Sequence, residues 1–460
     1  MKLSGWRSFV VSSMMIGALA VVAETRPQYG GVLHVAMRAA PTSLDPAELD
    51  PAKLAQPDSF GQRSLTMLMF DTLVATDEGG RIQPGLATSW QAPAGNQRWQ
   101  FRIRRGVKFH DGTPLSAEIA AASLRAANPS WNVSADADMV VIEAAKSDAE
   151  LLAEIALPRN AILKRNPGGT PSGTGPFHVA DWQPAKKLSL AAEENCWRGR
   201  PFLDAIEIEM GKSFREQMTA LELGKSDLVE VAPEQSHRIS QEGRRLLSSA
   251  PVELLALFFT RDAVSPDEKL LREALAWSVE RGSIRSVLLQ GAGQPAGGIL
   301  PNWMSGYGFV FATDAYLARA RQVREQVPNV PTWTLGYDGS DPVARLLAER
   351  IALNARDAGL SLQPTSGAVT DLRVLRIPLA SDPWVALADV AALAGVPTGK
   401  GGGSAEDLYA SELALLGTKR MIPLFHLPVS YAASANLNNW TLRSDGGWAV
   451  ADAWLGTVKP

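Results

Sequence analysis

The stretch WQFRIRRGVKFHDGTPLSAEIAAASLR, Trp99 to Arg125, decides the fold. Trp99, Phe101 and Ile103 alternate with Gln100, Arg102 and Arg104, which predicts a strand with one buried face. Asp111-Gly112 predicts a turn, because glycine tolerates positive φ and an Asp side chain accepts from the backbone two residues on. Past Pro114, Ser116 suits an N-cap, and Glu118 falls in the first helical turn, where a carboxylate meets the positive end of the helix dipole. Ile119, Ala122 and Ser123 are expected on one helix face. His110 and Asp111 are neighbours, but no nucleophile or metal-spaced partner accompanies them. The stretch reads as structure, not catalysis.

The whole chain has 460 residues, enough for two or three domains with sizeable cores. A hydrophobic fraction of 46% with 20% charged residues describes a globular protein. The formal charge of −3 argues against nucleic acid, which requires a basic surface. Lys2 and Arg7 precede an apolar run from Phe9 to Val22 with small residues after it, so residues 1–23 read as a cleavable secretory signal. The single Cys, Cys196, rules out an internal disulfide and a lipid anchor at the cleavage site. An exported, unanchored protein is expected in a periplasm.

Strands are predicted at Gly31–Ala36, Met139–Ile142, Leu151–Leu157, Phe177–Ala180, Leu188–Leu190, Ala205–Glu209, Asp227–Val231, Leu254–Thr260, Thr332–Tyr337, Leu372–Ile377 and Met421–Phe425. Helices are predicted at Ser64–Leu73, Ser213–Leu223, around Leu271–Ser278 and at Pro342–Ala358. Alternation of this kind implies α/β packing. The run GVPTGKGGGS, Gly395 to Ser404, carries Gly-Lys, but a phosphate loop requires Ser or Thr after the Lys and Gly at the position of Ala394, so it reads as a loop. There is no G-x-S-x-G or HEXXH, and the five His residues lack metal-ligand spacing. No enzyme activity, cofactor or metal is expected.

The run GVKFHDGTPLSAE, Gly106 to Glu118, resembles the signature of the family 5 extracellular solute-binding proteins, the dipeptide, oligopeptide and nickel receptors of bacterial ABC importers. GGVLHVA with PTSLDP (Gly30 to Pro46), PSGTGPFHVADW (Pro171 to Trp182) and LLREALAWSVERGSIRSVLLQGAGQPAGGILP (Leu270 to Pro301) resemble further landmarks in the expected order. The resemblance implies an α/β, two-lobed periplasmic binding protein, type II-like, with the three-domain family 5 architecture and a shortened small domain. Lobe I would comprise 24–44, 171–260 and 418–460, the side domain 45–170, and lobe II 261–417. Hinges are expected at 261–266 and 417–423. A small-molecule or peptide-like ligand would bind between closing lobes of a monomer and pass to an inner-membrane ABC permease. The alternative on the same scaffold is a periplasmic sensor or chaperone-like binder.

The candidate ligand-binding residues are Thr42, Phe60, Thr260, Arg376, Leu379, Asp382 and Trp384. In peptide-binding members, an Asp four residues before the Pro of a D-P pair holds the peptide ammonium. Here the pair is Asp382-Pro383 and that position is Leu379, which disfavours free peptides. Arg373 and Arg376 stand on opposite strand faces. At most one of them faces the cleft, and if it does it would suit a carboxylate, phosphate or other anion. Thr260 stands where the family often has Asn, and Trp303, Trp384 and Trp440 are possible cleft aromatics.

Overall fold

The computed structural model describes residues 26–51, 59–77, 79–93, 95–144, 148–166, 169–397 and 403–456. The expected signal (1–23) and residues 398–402 of the glycine loop lie outside the described residues. Among the described residues, one eleven-stranded sheet runs through both lobes. Its order is Ser361–Thr365, Thr332–Gly336, Leu372–Pro378, Arg245–Phe259, Met421–Ala433, Leu228–Val231, Val32–Ala36, Ala205–Glu209, Lys187–Ala192 and Phe177–Gln183, with Gln294–Pro295 paired to Met421–Ala433 off this path.

Each lobe has a parallel centre. Val32–Ala36 lies parallel between Ala205–Glu209 and Leu228–Val231. The helix Phe214–Glu222, closed by a reciprocal Ser213–Glu216 capping box, links those two flanking strands. In the second lobe the helix Pro342–Asp357 links the parallel neighbours Thr332–Gly336 and Ser361–Thr365. The apolar run Leu254–Phe259 is continuous because both its faces are covered. Leu255, Leu257 and Phe259 enter one core, and Leu254, Ala256 and Phe258 enter another on the opposite face.

Two long antiparallel strands, Arg245–Phe259 and Met421–Ala433, carry the chain between lobes. Ser430–Ala433 pairs with Leu228–Val231 in the first lobe, whereas Glu253–Phe259 pairs with Leu372–Pro378 in the second. Between them Pro251 faces Pro428, and the register shifts on both sides of that pair. Neither proline has an N–H to donate, so the ladder is interrupted where the chain changes lobe. The expected hinge segments 261–266 and 417–423 lie elsewhere, at the far ends of the two strands.

The side domain is built as its sequence suggests. Arg98–Ile103 sits in a four-stranded antiparallel sheet beside Ala87–Gln91 and Met139–Glu143, the last paired to Asn132–Asp136. Trp99, Phe101 and Ile103 are buried. Gly112 has φ +81°, and Ser116 Oγ accepts from the Ile119 N–H at 3.3 Å. The buried helix face is Ala117, Ala120, Ala121 and Leu124, joined by Ser123; Ala122 points outward and Ile119 is half-buried.

Three local expectations change. Leu151–Ile155 is a helix, not a strand: Leu151 and Ile155 are the buried pair, one turn apart. The helix expected at 64–73 runs Phe60–Met69, because Ser59 caps it by accepting from the Gln62 N–H at 3.2 Å. That helix packs Leu65, Leu68 and Met69 into the first-lobe core, so it does not belong to the side domain's own core.

The glycines of the GTGPF run serve close approach. A Cβ on Gly175 would stand 2.5 Å from the Leu68 carbonyl, and one on Gly173 would meet the Met69 carbonyl. The loop also receives the signature stretch, since the His110 N–H donates to Gly173 O at 2.9 Å and the Asp111 N–H to Ser172 Oγ at 3.2 Å. Two motifs about 60 positions apart form one contact that docks the side domain on the first lobe.

Candidate functional site

A cavity of about 400 Å³ lies between the lobes. From the first lobe it takes Arg38 and Pro41 after the first strand, Phe60 and Gln62 on the helix, Phe214, Glu230 and Glu234. From the second it takes Glu253, Leu255, Asp338, Asp341, Val374 and Arg376. These positions follow from the topology: the loops after Val32–Ala36, Leu228–Val231 and Thr332–Gly336 all leave the carboxyl ends of parallel strands, where open α/β sheets gather their binding residues.

The cavity is strongly charged, and most charges are committed. Arg38 Nη2 donates to Asp338 Oδ2 at 2.9 Å, linking the lobes. The Arg38 guanidinium also covers the Phe214 ring at 4.6 Å, a cation–π contact. Burial pushes the Asp338 carboxyl up, but hydrogen bonds from Ser340 and the Arg38 charge outweigh it and hold the group below the usual carboxylate range. Arg376 donates from Nε and Nη2 to Glu253 Oε2 at 2.9 and 2.5 Å. Asp341 Oδ1 caps the helix Pro342–Asp357, accepting from the Val343 and Ala344 N–H groups. Glu230 Oε2 accepts from the Arg38 backbone N–H at 2.7 Å and from Gln217 Nε2 at 3.0 Å.

Glu234 differs. It has no hydrogen-bond or ion-pair partner on any other described residue. Burial raises its pKa, its own backbone amide lowers it, the Asp341 charge adds to the rise, and Arg376 and Arg38 oppose it. Sequence reading missed Glu234, Arg38, Asp338 and Phe214, because the cavity is assembled from segments some 300 residues apart.

Of the seven candidates, Phe60 and Arg376 line this cavity. Arg376 faces it, and Glu253 takes two of its guanidinium N–H groups. Leu379 is 1% exposed, packed in a second-lobe core. Trp384 is half-buried against the same core. Asp382 caps the helix Pro383–Leu393 through the Trp384 and Val385 N–H groups and borders a smaller cavity of about 170 Å³, with Arg443 and Asp445. Thr260 is exposed, its hydroxyl donating to the Thr370 and Asp371 carbonyls beyond the end of the crossing strand. Thr42 is exposed outside the cavity lining. Trp440 is buried in the first lobe, and Trp303, 48% exposed, donates to Pro251 O at 2.8 Å. Among the described residues no three His, Cys, Asp or Glu side chains converge as metal ligands, and no helix is long and apolar enough to cross a membrane.

A sequence model of the bacterial extracellular solute-binding proteins, family 5, matches residues 81–373. The chain belongs to this family. Nickel-binding protein NikA of Staphylococcus aureus is 26% identical over 249 residues, 49% of this chain and 49% of that protein. Across the first four curated relatives, the match spans 49% to 64% of their length. The fold likeness extends further. The crystal structure of that NikA in complex with Ni(L-His)2 superposes with TM-score 0.77 at 19% identity, covering 90% of this chain and 97% of that one. Oligopeptide-binding AppA of Bacillus subtilis, in complex with a nonapeptide, gives TM-score 0.78 at 18% identity, covering 94% and 100%. MoaA of A. tumefaciens R10, in complex with mannopinic acid, gives 0.76 at 19%, covering 93% and 99%. This fold therefore carries Ni(L-His)2, a nonapeptide and mannopinic acid in those three proteins. The side chains lining each chain's own cleft have to set its ligand.

Proposed function

We propose that this family 5 protein captures a small organic solute in the cleft between its two lobes and delivers it to the permease of an ABC importer. The observation that carries the reading is the cavity itself. Its walls come from both lobes, and the Arg38–Asp338 pair spans them. Lobes joined by two strands interrupted at Pro251 and Pro428 can swing about that point, admit a solute, and exclude water on closing. On this reading the first lobe holds roughly 26–72, 161–250 and 429–456, the second about 253–427, and the side domain the remainder.

The residue 1–23 segment supports export to the periplasm. The protein acts there as a monomer, without nucleic acid and without turning its ligand over. Solution scattering and thermal melting of the processed chain against dipeptide, amine, carboxylate and opine mixtures test the reading. A bound solute at about a hundred times its Kd adds roughly 2.7 kcal/mol and raises Tm by a few degrees, with a smaller radius of gyration. Unchanged scattering and melting across every mixture would contradict it.

A further inference from the structure

We propose that the solute held in this cleft is a small organic cation, an ammonium or guanidinium group on an apolar body, with Glu234 as its counter-charge; the assignment rests on the receptor reading of the same cleft. Five carboxylates and two guanidiniums line the cavity. Both guanidiniums are bound to carboxylates, Arg38 to Asp338 and Arg376 to Glu253. Asp341 is held by backbone amides at a helix start, and Glu230 by Gln217 and the Arg38 backbone. Glu234 stands in the short 3-10 turn Pro233–Gln235, directly after the strand Leu228–Val231, with no partner on another described residue.

Each class of solute meets a different fate there. An anion meets guanidiniums whose charge Asp338 and Glu253 already balance, and it faces an excess of carboxylates. A neutral solute displaces water from Glu234 and leaves a carboxylate without a partner, which costs binding energy. A zwitterion satisfies Glu234 with its ammonium but adds its own carboxylate to the five already there. A cation neutralises Glu234, and Asp341 adds to the attraction. Much of the remaining wall is carbon, from Phe60, Leu255, Leu289, Val343, Leu347 and Leu427, with Ser59, Gln62 and Ser430 among it, which suits a mainly apolar body. Burial raises the Glu234 pKa, and a bound cation would oppose that rise.

Calorimetric titration of the processed wild-type chain tests this with probes of nearly equal shape. Phenethylamine, phenethyl alcohol and 3-phenylpropionate differ only in the head group; agmatine adds a guanidinium and Ala-Phe a zwitterion. The expected result is binding of phenethylamine or agmatine, with the alcohol, the acid and the dipeptide roughly tenfold weaker or worse. Glu234→Gln should weaken the cation roughly ten- to a hundredfold with an unchanged melting temperature. If that variant does not fold, the wild-type comparison of head groups decides alone. Tighter binding of the acid, the alcohol or the dipeptide than of the cations, or cation binding indifferent to Glu234→Gln, overturns the cation assignment and leaves the receptor reading standing. Silence with every probe overturns the cation assignment, and the receptor reading falls only if the solute mixtures also leave scattering and melting unchanged.

Discussion

Arg38 and Asp338 meet across the cleft with Nη2 2.9 Å from Oδ2, joining the end of the first lobe's opening strand to the end of a parallel strand in the second. Their side chains are 27% and 50% exposed, so solvent screens much of the attraction. The pair acts as a latch of modest strength. Its importance lies in where it sits.

Arg38→Met keeps an unbranched side chain beside Phe214 and removes the guanidinium with its charge and its cation–π contact. Closure should lose about 0.5–1 kcal/mol, and solute affinity should fall roughly two- to fivefold through the smaller closed population. Because the Asp338 carboxyl lies below its ordinary range in the closed form, the latch is intact above that range and is lost as pH falls through the lowered pKa. Scattering of the wild type and the variant with bound solute at neutral and acid pH measures both effects.

Glu253 and Arg376 form the tighter pair. Glu253 is 6% exposed, and its carboxylate takes two N–H groups of Arg376. Removing one partner strands the other, so Glu253→Gln should cost about 3 kcal/mol in denaturant unfolding. The double variant Glu253→Gln, Arg376→Met should recover part of that loss. A double-mutant cycle measures the coupling.

His426 lies under the second lobe, 5% exposed, with Nε2 3.0 Å from Ile299 O. Burial pushes its pKa down to about 4, although hydrogen bonds to the Ile299 and Gly298 carbonyls oppose the shift. The unfolded chain, with an ordinary His pKa near 6.5, then binds more protons than the folded one between about pH 4 and 6.5. Stability falls as pH drops through that window, by about 3 kcal/mol from this group. The slope of stability against pH should flatten in His426→Gln by comparison with the wild type.

Much of the fold is legible because its signals are local. The alternation at Trp99–Ile103, the Gly112 turn and the Ser116 cap each depend on a few neighbouring residues, and all three form. The strand expected at Leu151–Leu157 went astray because so short a segment carries too little periodicity to tell strand from helix. The cleft is harder to read. Arg38 and Asp338 become walls of one cavity only after strands from both lobes order into one sheet. Thr260 and Leu379 stand out by resemblance to family positions, yet one lies beyond the strand's end and the other faces a core.

Leu379 gives the last of these predictions. Restoring the acid of peptide-binding members with Leu379→Asp should not create a peptide site, since the side chain lies in the core with Ile377 and Val385 rather than in the cavity. It should destabilise the fold by about 4 kcal/mol, through lost packing and a buried carboxylate. Urea unfolding with dipeptide titration reads both.

The cleft account is tested most directly by a crystal structure of the processed chain with the solute that raises its melting temperature most. The account predicts density inside the inter-lobe cavity, against Glu234 and between Phe60 and Leu255, with Arg38 and Asp338 in contact. Density in the smaller cavity beside Asp382, or on the outer surface of one lobe with the cleft empty, would contradict it.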